Sequence, residues 1–136
     1  MDKKLTEVIK NEKQALEKLL ELLDKQYKYV MNKEVLELDA IVNEMKDASK
    51  DIAKIEVERR KLVSNNSMKE LVDSYGDEEL DTEYRKIKVL LEAIKLQKDT
   101  NDLLIRQQMS FNNQILNIIN PSREIKTYNS YGNLKR

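Results

Sequence analysis

Apolar residues recur every seven positions along the start of the chain, the spacing typical of helices that pack against a partner helix. The main positions are Ile9, Leu16, Leu23 and Val30, with Leu5 and Leu19 filling the neighbouring seam positions and Leu20 and Tyr27 widening the stripe. Glu12 and Gln26 fall on the same seam, which is therefore imperfect. The pattern predicts a first helix over residues 3–31.

A second amphipathic stretch follows after a short break at residues 31–33. Asn32 suits either a left-handed residue that closes the first helix or a cap that opens the next. The pattern predicts a second helix over residues 34–63, and two long helices joined so closely form an antiparallel hairpin. Its apolar positions are Val35, Leu38, Ile41, Val42, Met45, Ile52, Ile55 and Leu62.

Capping signals predict a short helix in the acidic connection that follows. Ser67 can cap a helix that runs through Tyr75, with Glu70 completing a capping box and Gly76 ending the helix. A last long helix is predicted over residues 78–120, because Pro121 cannot continue it. The fold class is therefore all-α: a long antiparallel hairpin plus a third long helix, with a short helix in the connection. We expect a helical bundle domain over 1–121 and a flexible polar tail over 122–136.

The last helix carries two apolar stripes when its residues are projected at about 100° per residue. One stripe runs its full length and is predicted to face the bundle: Leu80, Ile87, Leu91, Ile94, Ile105, Met109 and Leu116. A second stripe lies roughly a quarter turn or more away, in the C-terminal third only: Leu104, Phe111, Ile115 and Ile118. Extra apolar surface at one end of a helix needs a cover, either a partner, the first helix or a second copy of the chain.

Composition and charge exclude several classes of function. The 136 residues hold 25 basic and 25 acidic side chains, so no global field favours nucleic acid. No apolar run approaches the roughly 18 residues of a membrane span, and the start of the chain lacks the apolar core of a signal peptide, which favours the cytoplasm. Without Cys, His or Trp, thiol and imidazole catalysis are excluded. We therefore expect no enzyme, no cofactor and no metal.

Two charged clusters are better explained by solvation than by chemistry. The acidic residues Asp73, Asp77, Glu78, Glu79, Asp81 and Glu83 do not match an EF-hand, because Gly76 is fourth rather than sixth when counted from Asp73. The basic run 59–61 lies beside Glu56 and Glu58, which indicates a solvated helix face with i, i+4 pairs. Tyr84 lies near the bundle stripe and is expected to pack.

Three segments together resemble the FlgN-type flagellar export chaperones over essentially the whole chain. They are the opening hairpin with its break (19–23 and 32–36), the end of the second helix (52–62), and the run 101–112 followed by Thr127-Tyr-Asn-Ser-Tyr-Gly132. The last is the most specific, because a Leu-rich, Gln-containing helix end and such a tail rarely follow one another in that order.

The resemblance implies a cytoplasmic chaperone that binds the hook–filament junction proteins, prevents their premature assembly and presents them to the flagellar type III export gate. It assigns client binding to Leu104, Gln107, Gln108, Phe111, Ile115 and Ile118, and leaves Tyr128 and Tyr131 for contacts with client or gate. Two alternatives stay open: a chaperone for a different flagellar client, and a self-assembling coiled-coil adaptor. Against the adaptor, Lys98, Asn101, Gln108 and Asn112 occupy seam positions of one heptad register of the last helix; a homo-oligomer remains open.

Overall fold

The structure, a computed structural model, describes residues 2–64 and 66–120 of the chain. Four helices account for nearly all of this part: α1 (Asp2–Met31), α2 (Val35–Val63), α3 (Met68–Tyr75) and α4 (Glu78–Ile119). The predicted all-α fold, with a hairpin, a short connecting helix and a last long helix, is confirmed, and no strand occurs within the described ranges. Contacts divide the chain into two compact units, 1–101 and 102–136.

The break between α1 and α2 is a Schellman motif that uses a lysine. The N–H of Glu34 donates to the carbonyl oxygen of Tyr29, and the N–H of Lys33 donates to that of Val30. Lys33 adopts the left-handed conformation, with φ of 57°. Glu34 occupies the cap position of α2 without a side-chain capping bond. Both roles predicted for Asn32 are therefore wrong, because the left-handed residue falls one position later.

The predicted caps of α3 are confirmed. The Ser67 hydroxyl accepts a hydrogen bond of 3.1 Å from the N–H of Glu70, and Gly76 closes the helix in the left-handed region, with φ of 62°. The next residue, Asp77, accepts a 3.0 Å bond from the N–H of Glu79 and so opens α4. The acidic connection thus reverses the chain through two side-chain caps and one glycine.

Helix α1 is buried on two faces. One face packs with α2, α3 and α4 in a cluster of buried residues: Leu5, Ile9, Leu16, Val63, Val72, Leu80 and Ile87. Its other face packs on α2 through Leu22, Ile41 and Ala48. Leu22 is fully buried although the heptad pattern omitted it, whereas Tyr27, which was predicted to widen the stripe, is 38% exposed. Tyr84 packs against the first cluster, as predicted.

Helices α1 and α4 run in the same direction, as three cross-helix contacts show. Lys10 pairs with Glu79, and the Lys13 ammonium lies 2.7 Å from Oε2 of Glu83. Further along both helices, Asn101 bonds to α1 near Gln26. The close contact with Lys13 lowers the pKa of the Glu83 carboxyl and outweighs the opposing effect of burial.

A layer of amide side chains joins α4 to α1 in the interior. Asn101 is fully buried, and its Nδ2 donates to the carbonyl oxygen of Leu23 at 2.8 Å and to Oε1 of Gln26 at 2.9 Å. Nε2 of Gln97 donates in turn to Oδ1 of Asn101 at 2.9 Å. A buried amide with matched partners fixes the register of two helices, because any shift leaves a polar group without a partner.

An ion pair between the buried Glu12 and the half-buried Arg59 joins α1 to α2. Nε of Arg59 lies 3.0 Å from Oε2 of Glu12, although the two groups are not aligned for a hydrogen bond. Burial raises the pKa of the Glu12 carboxyl, and the nearby Arg59 charge only partly opposes that shift. The prediction of a solvated basic face holds for Arg60, which pairs with Glu56 at 2.6 Å, and is wrong for Arg59. Arg59 turns inward because the seam of α1 carries a carboxylate at Glu12.

Replacing Asn101 tests the amide layer. In Asn101→Leu, Gln26 stays buried without its donor, and we expect a loss of about 2 kcal/mol in the free energy of unfolding. The double variant Asn101→Leu/Gln26→Leu should recover much of this loss, because an apolar pair leaves no unmatched group. Urea denaturation followed by circular dichroism measures both variants.

Gln107→Leu is the control, since this exposed residue lies on the same helix and should change stability by less than about 0.5 kcal/mol. A single variant that is more stable than the double variant would contradict the assignment.

Two glutamates should shift the pH dependence of stability in opposite directions. The folded pKa of Glu12 is raised, so its ionisation costs stability as the pH rises above the ordinary glutamate range. The folded pKa of Glu83 is lowered, so its contribution is present above that range and lost as the pH falls below it.

Relative to the wild type, Glu12→Gln should therefore gain stability as the pH rises from about 4 to 7, and Glu83→Gln should lose stability as the pH rises from about 2 to 5. Urea midpoints across this range measure both slopes, and slopes of the same sign would refute the two environments.

Candidate functional site

The buried residues of α4 follow a heptad seam from its start to Asn101. The members of this core seam are Leu80, Glu83, Ile87, Leu90, Ile94, Gln97 and Asn101, which are buried or half-buried. They alternate in steps of three and four residues, as the inward positions of a coiled coil do. The same register continues beyond Asn101 through Leu104, Gln108, Phe111, Ile115 and Ile118, and we call these five residues the exposed seam.

No residue of the exposed seam is buried, and no other described residue after Asn101 is buried either. Leu104 and Gln108 are half-buried, while Phe111 is 56% and Ile118 79% exposed. Ile115 also remains exposed, at 38%. A face patterned for helix packing is thus left open to solvent along several helical turns.

The prediction of a separate bundle stripe along the full length of α4 is wrong. Leu80 and Ile87 are buried, but Leu91 is 48% exposed, and Met109 and Leu116 are also exposed. The projection at 100° per residue assumed a straight helix. A heptad seam drifts by about 20° per heptad around such a helix, so Leu80, Ile87 and Ile94 of the first stripe and the whole of the second stripe belong to one seam. The other members of the first stripe lie outside this seam: Leu91, Ile105, Met109 and Leu116.

Heptad register also changes the interpretation of the polar residues. Asn101 and Gln108 are seam positions, whereas Lys98 and Asn112 lie beside the seam. Because Asn101 is satisfied inside its own chain, its polarity is explained by the bundle and does not argue for a replaceable partner.

Helix α4 brings the six sequence-predicted site residues onto one side. Leu104, Gln107, Gln108, Phe111, Ile115 and Ile118 fall within an arc of about 100° around the helix axis. Gln107 is exposed at the edge of the arc and is the one member outside the exposed seam. Tyr128 and Tyr131 lie outside the described residues.

A second group of exposed apolar residues, which the sequence pattern did not indicate, lies at the α1–α2 turn. Met31, Val35 and Leu36 are exposed by 53%, 71% and 82%. Val35 was expected to pack, but the Schellman turn directs the start of α2 into solvent. The signal that could have identified them is the placement of large apolar side chains next to a turn.

The site offers side chains suited to binding a partner. Its side chains are aliphatic, aromatic or amide groups, which bury area and exchange hydrogen bonds. In the described part of the chain, no cluster of three or more Asp, Glu, His or Cys side chains could hold a metal ion. Across the same residues, no helix is both long and apolar enough to span a membrane.

Comparison with known proteins places the whole chain in one family. A family model described as FlgN protein matches residues 1–136. Searches of curated proteins and of solved structures gave no match. FlgN proteins are chaperones rather than enzymes and bind flagellar client proteins. The match over all 136 residues shows that this chain belongs to the FlgN family of flagellar export chaperones.

Proposed function

We propose that the exposed seam of α4 is the surface on which this chaperone binds the hook–filament junction proteins. The observation that carries the proposal is the continuation of the core seam into residues that no part of the described chain buries. Helical positions patterned for burial but left in water are typical of a surface kept for a partner. A client segment that forms an amphipathic helix is the natural occupant of such a face.

Four apolar side chains provide most of the driving force. Burying each of Leu104, Phe111, Ile115 and Ile118 gains about 1.5–3 kcal/mol at most, and ordering the client offsets a large part of that gain. Phe111 lies in the middle of the exposed seam and is its only aromatic residue. Central, well-covered aromatic side chains commonly dominate binding energy, so Phe111 is the expected anchor.

Moderate affinity suits a chaperone that must release its client. A client segment that later packs into a polymer exposes apolar groups while it waits, and covering these groups prevents premature assembly. Because a segment that orders on binding gains less affinity per unit area, the complex can form and still dissociate at the export gate.

The tail extends the proposal to delivery. We assign Tyr128 and Tyr131, together with the rest of the tail 122–136, to contacts with the client or the export gate, and residues 1–121 to the helical domain that presents the client. This division follows from Pro121 and from the polar, basic composition of the tail. The proposed place of action is the cytoplasm, where clients await export.

Phe111→Asp tests the binding surface. A carboxylate in the centre of the exposed seam removes the anchor and must be desolvated when the client docks, so we expect capture of junction proteins to weaken by about tenfold or more. Helical content should be unchanged, because Phe111 is exposed in the free chain. Co-purification and calorimetry with the full-length junction proteins measure capture, and circular dichroism measures helicity.

Leu96→Asp is the matched control, since Leu96 is a 70% exposed apolar residue of α4 away from the seam. It should bind clients as the wild type does. Equal capture by Phe111→Asp and the wild type would refute the site.

A chain that ends at Pro121 tests the role of the tail. We expect this shortened chain to capture clients more weakly than the wild type. Normal capture together with lost binding to the export gate would assign the tail to the gate instead.

Light scattering of the free chain and of its mixture with a junction protein tests the rival adaptor. A chain that stays one fixed oligomer and binds no flagellar client would favour the self-assembling adaptor. Capture of another flagellar protein in place of the junction proteins would keep the chaperone and change its client.

A further inference from the structure

The two parts of the α4 seam differ in the charge of the residues beside them. Where α4 packs on α1, charged groups accompany the seam: Glu79 pairs with Lys10 beside it, and Glu83 pairs with Lys13 within it. Beside the exposed seam, one flank carries Ile105, Asn112 and Ile119, and the other carries Gln107 and Gln114. None of these five flanking residues is charged.

Residues 102–119 contain only two charged side chains, Asp102 and Arg106. At about 100° per residue, both project from the side of α4 opposite the exposed seam. Nε of Arg106 donates to the backbone carbonyl oxygen of Asp102 at 3.3 Å, which holds the guanidinium along that far side. Among the described residues after Asn101, a partner that docks on the exposed seam therefore meets apolar groups and amides, and no charged side chain lies on or beside the seam.

We propose that the client segment is an amphipathic helix with uncharged flanks, and that its affinity for the exposed seam is nearly independent of salt. This inference rests on the proposed function and adds the chemistry of the partner to it. Asn, Gln, Ser and Thr on the client can exchange hydrogen bonds with Gln107, Asn112 and Gln114. A Lys or Glu at the same places would lose hydration without gaining an opposite charge.

The uncharged flanks also determine selectivity. In coiled coils the flanking positions usually carry Glu and Lys, whose pairing selects the partner. An amide flank instead disfavours helices that carry charge beside their apolar stripe. Burying such a charge costs free energy because the flank offers no opposite charge. The exposed seam thus favours client helices with uncharged flanks over the charge-rich helices of other proteins.

A salt titration tests the inference on the intact chain. Calorimetry of the full-length chaperone with each full-length junction protein, at about 50 and 500 mM NaCl, should give dissociation constants that agree within about threefold. Binding that depends on ion pairs across the interface would weaken beyond that limit, because salt screens exposed charges. A change of more than about threefold that is also seen in a chain ending at Pro121, which lacks the basic tail, would therefore overturn the proposal.

A pair of neighbouring lysine substitutions locates the effect. Gln114→Lys puts a charge on the flank and should weaken binding by about tenfold at both salt concentrations. Asn113→Lys puts the same charge on the neighbouring residue, which is exposed on the side of α4 opposite the seam. This variant should bind within about threefold of the wild type. Arg106→Gln, which removes the native far-side charge, should also stay within that limit. Equal losses for the two lysine variants, or a large loss for Arg106→Gln, would contradict the inference.

These outcomes separate the inference from the proposed function. If Phe111→Asp abolishes capture but the wild type, with or without its tail, binds much more weakly at high salt, the exposed seam remains the binding site. The proposal that the client has uncharged flanks is then wrong. If no junction protein binds at either salt concentration, both proposals fail.

Discussion

One buried amide layer determines how α4 is used. Asn101 donates to the carbonyl oxygen of Leu23 and to Gln26, and a shift of α4 along α1 would break both of these buried hydrogen bonds. Helix α1 ends at Met31, shortly after Gln26, whereas α4 continues to Ile119. By fixing which residues of α4 meet α1, the layer also fixes which seam residues the other described helices leave unburied.

The same heptad pattern therefore serves folding in one part of α4 and, on our proposal, binding in another. Up to Asn101 the seam is buried or half-buried against the other helices, with ion pairs such as Lys13–Glu83 beside the apolar contacts. Beyond it the seam keeps its apolar spacing and replaces charge with amides. A client helix that packs there would repeat the geometry of the bundle with different side-chain chemistry, which gives the chaperone a partner preference without a separate pocket.

The sequence was sufficient to predict the elements because local signals agree. Heptad spacing, the Ser67 cap and the Gly76 closure correctly gave the four helices within a residue or two. The left-handed Lys33 was missed because lysine carries no preference for that conformation. Arg59 was missed because its partner, Glu12, lies far away in sequence. Part of the first predicted stripe of α4 and the whole of the second belong to one heptad seam, which a projection at a fixed 100° per residue divides.

The family assignment and the exposed seam support each other from independent directions. The first comes from the match over the whole chain, and the second from the burial of individual residues. A chaperone must expose apolar surface without aggregating, and the amides of Gln108 and Asn112 place polar groups among the apolar side chains at this end of α4.

Hydrogen exchange along α4 tests most directly whether the seam changes role at Asn101. In the free full-length chain, amides of residues 80–101 should exchange slowly and those of 104–118 much faster, because only the first part is covered by other helices. Addition of a junction protein should slow exchange selectively in 104–118. Equal protection of both parts in the free chain, or protection by the client at other residues only, would contradict the account.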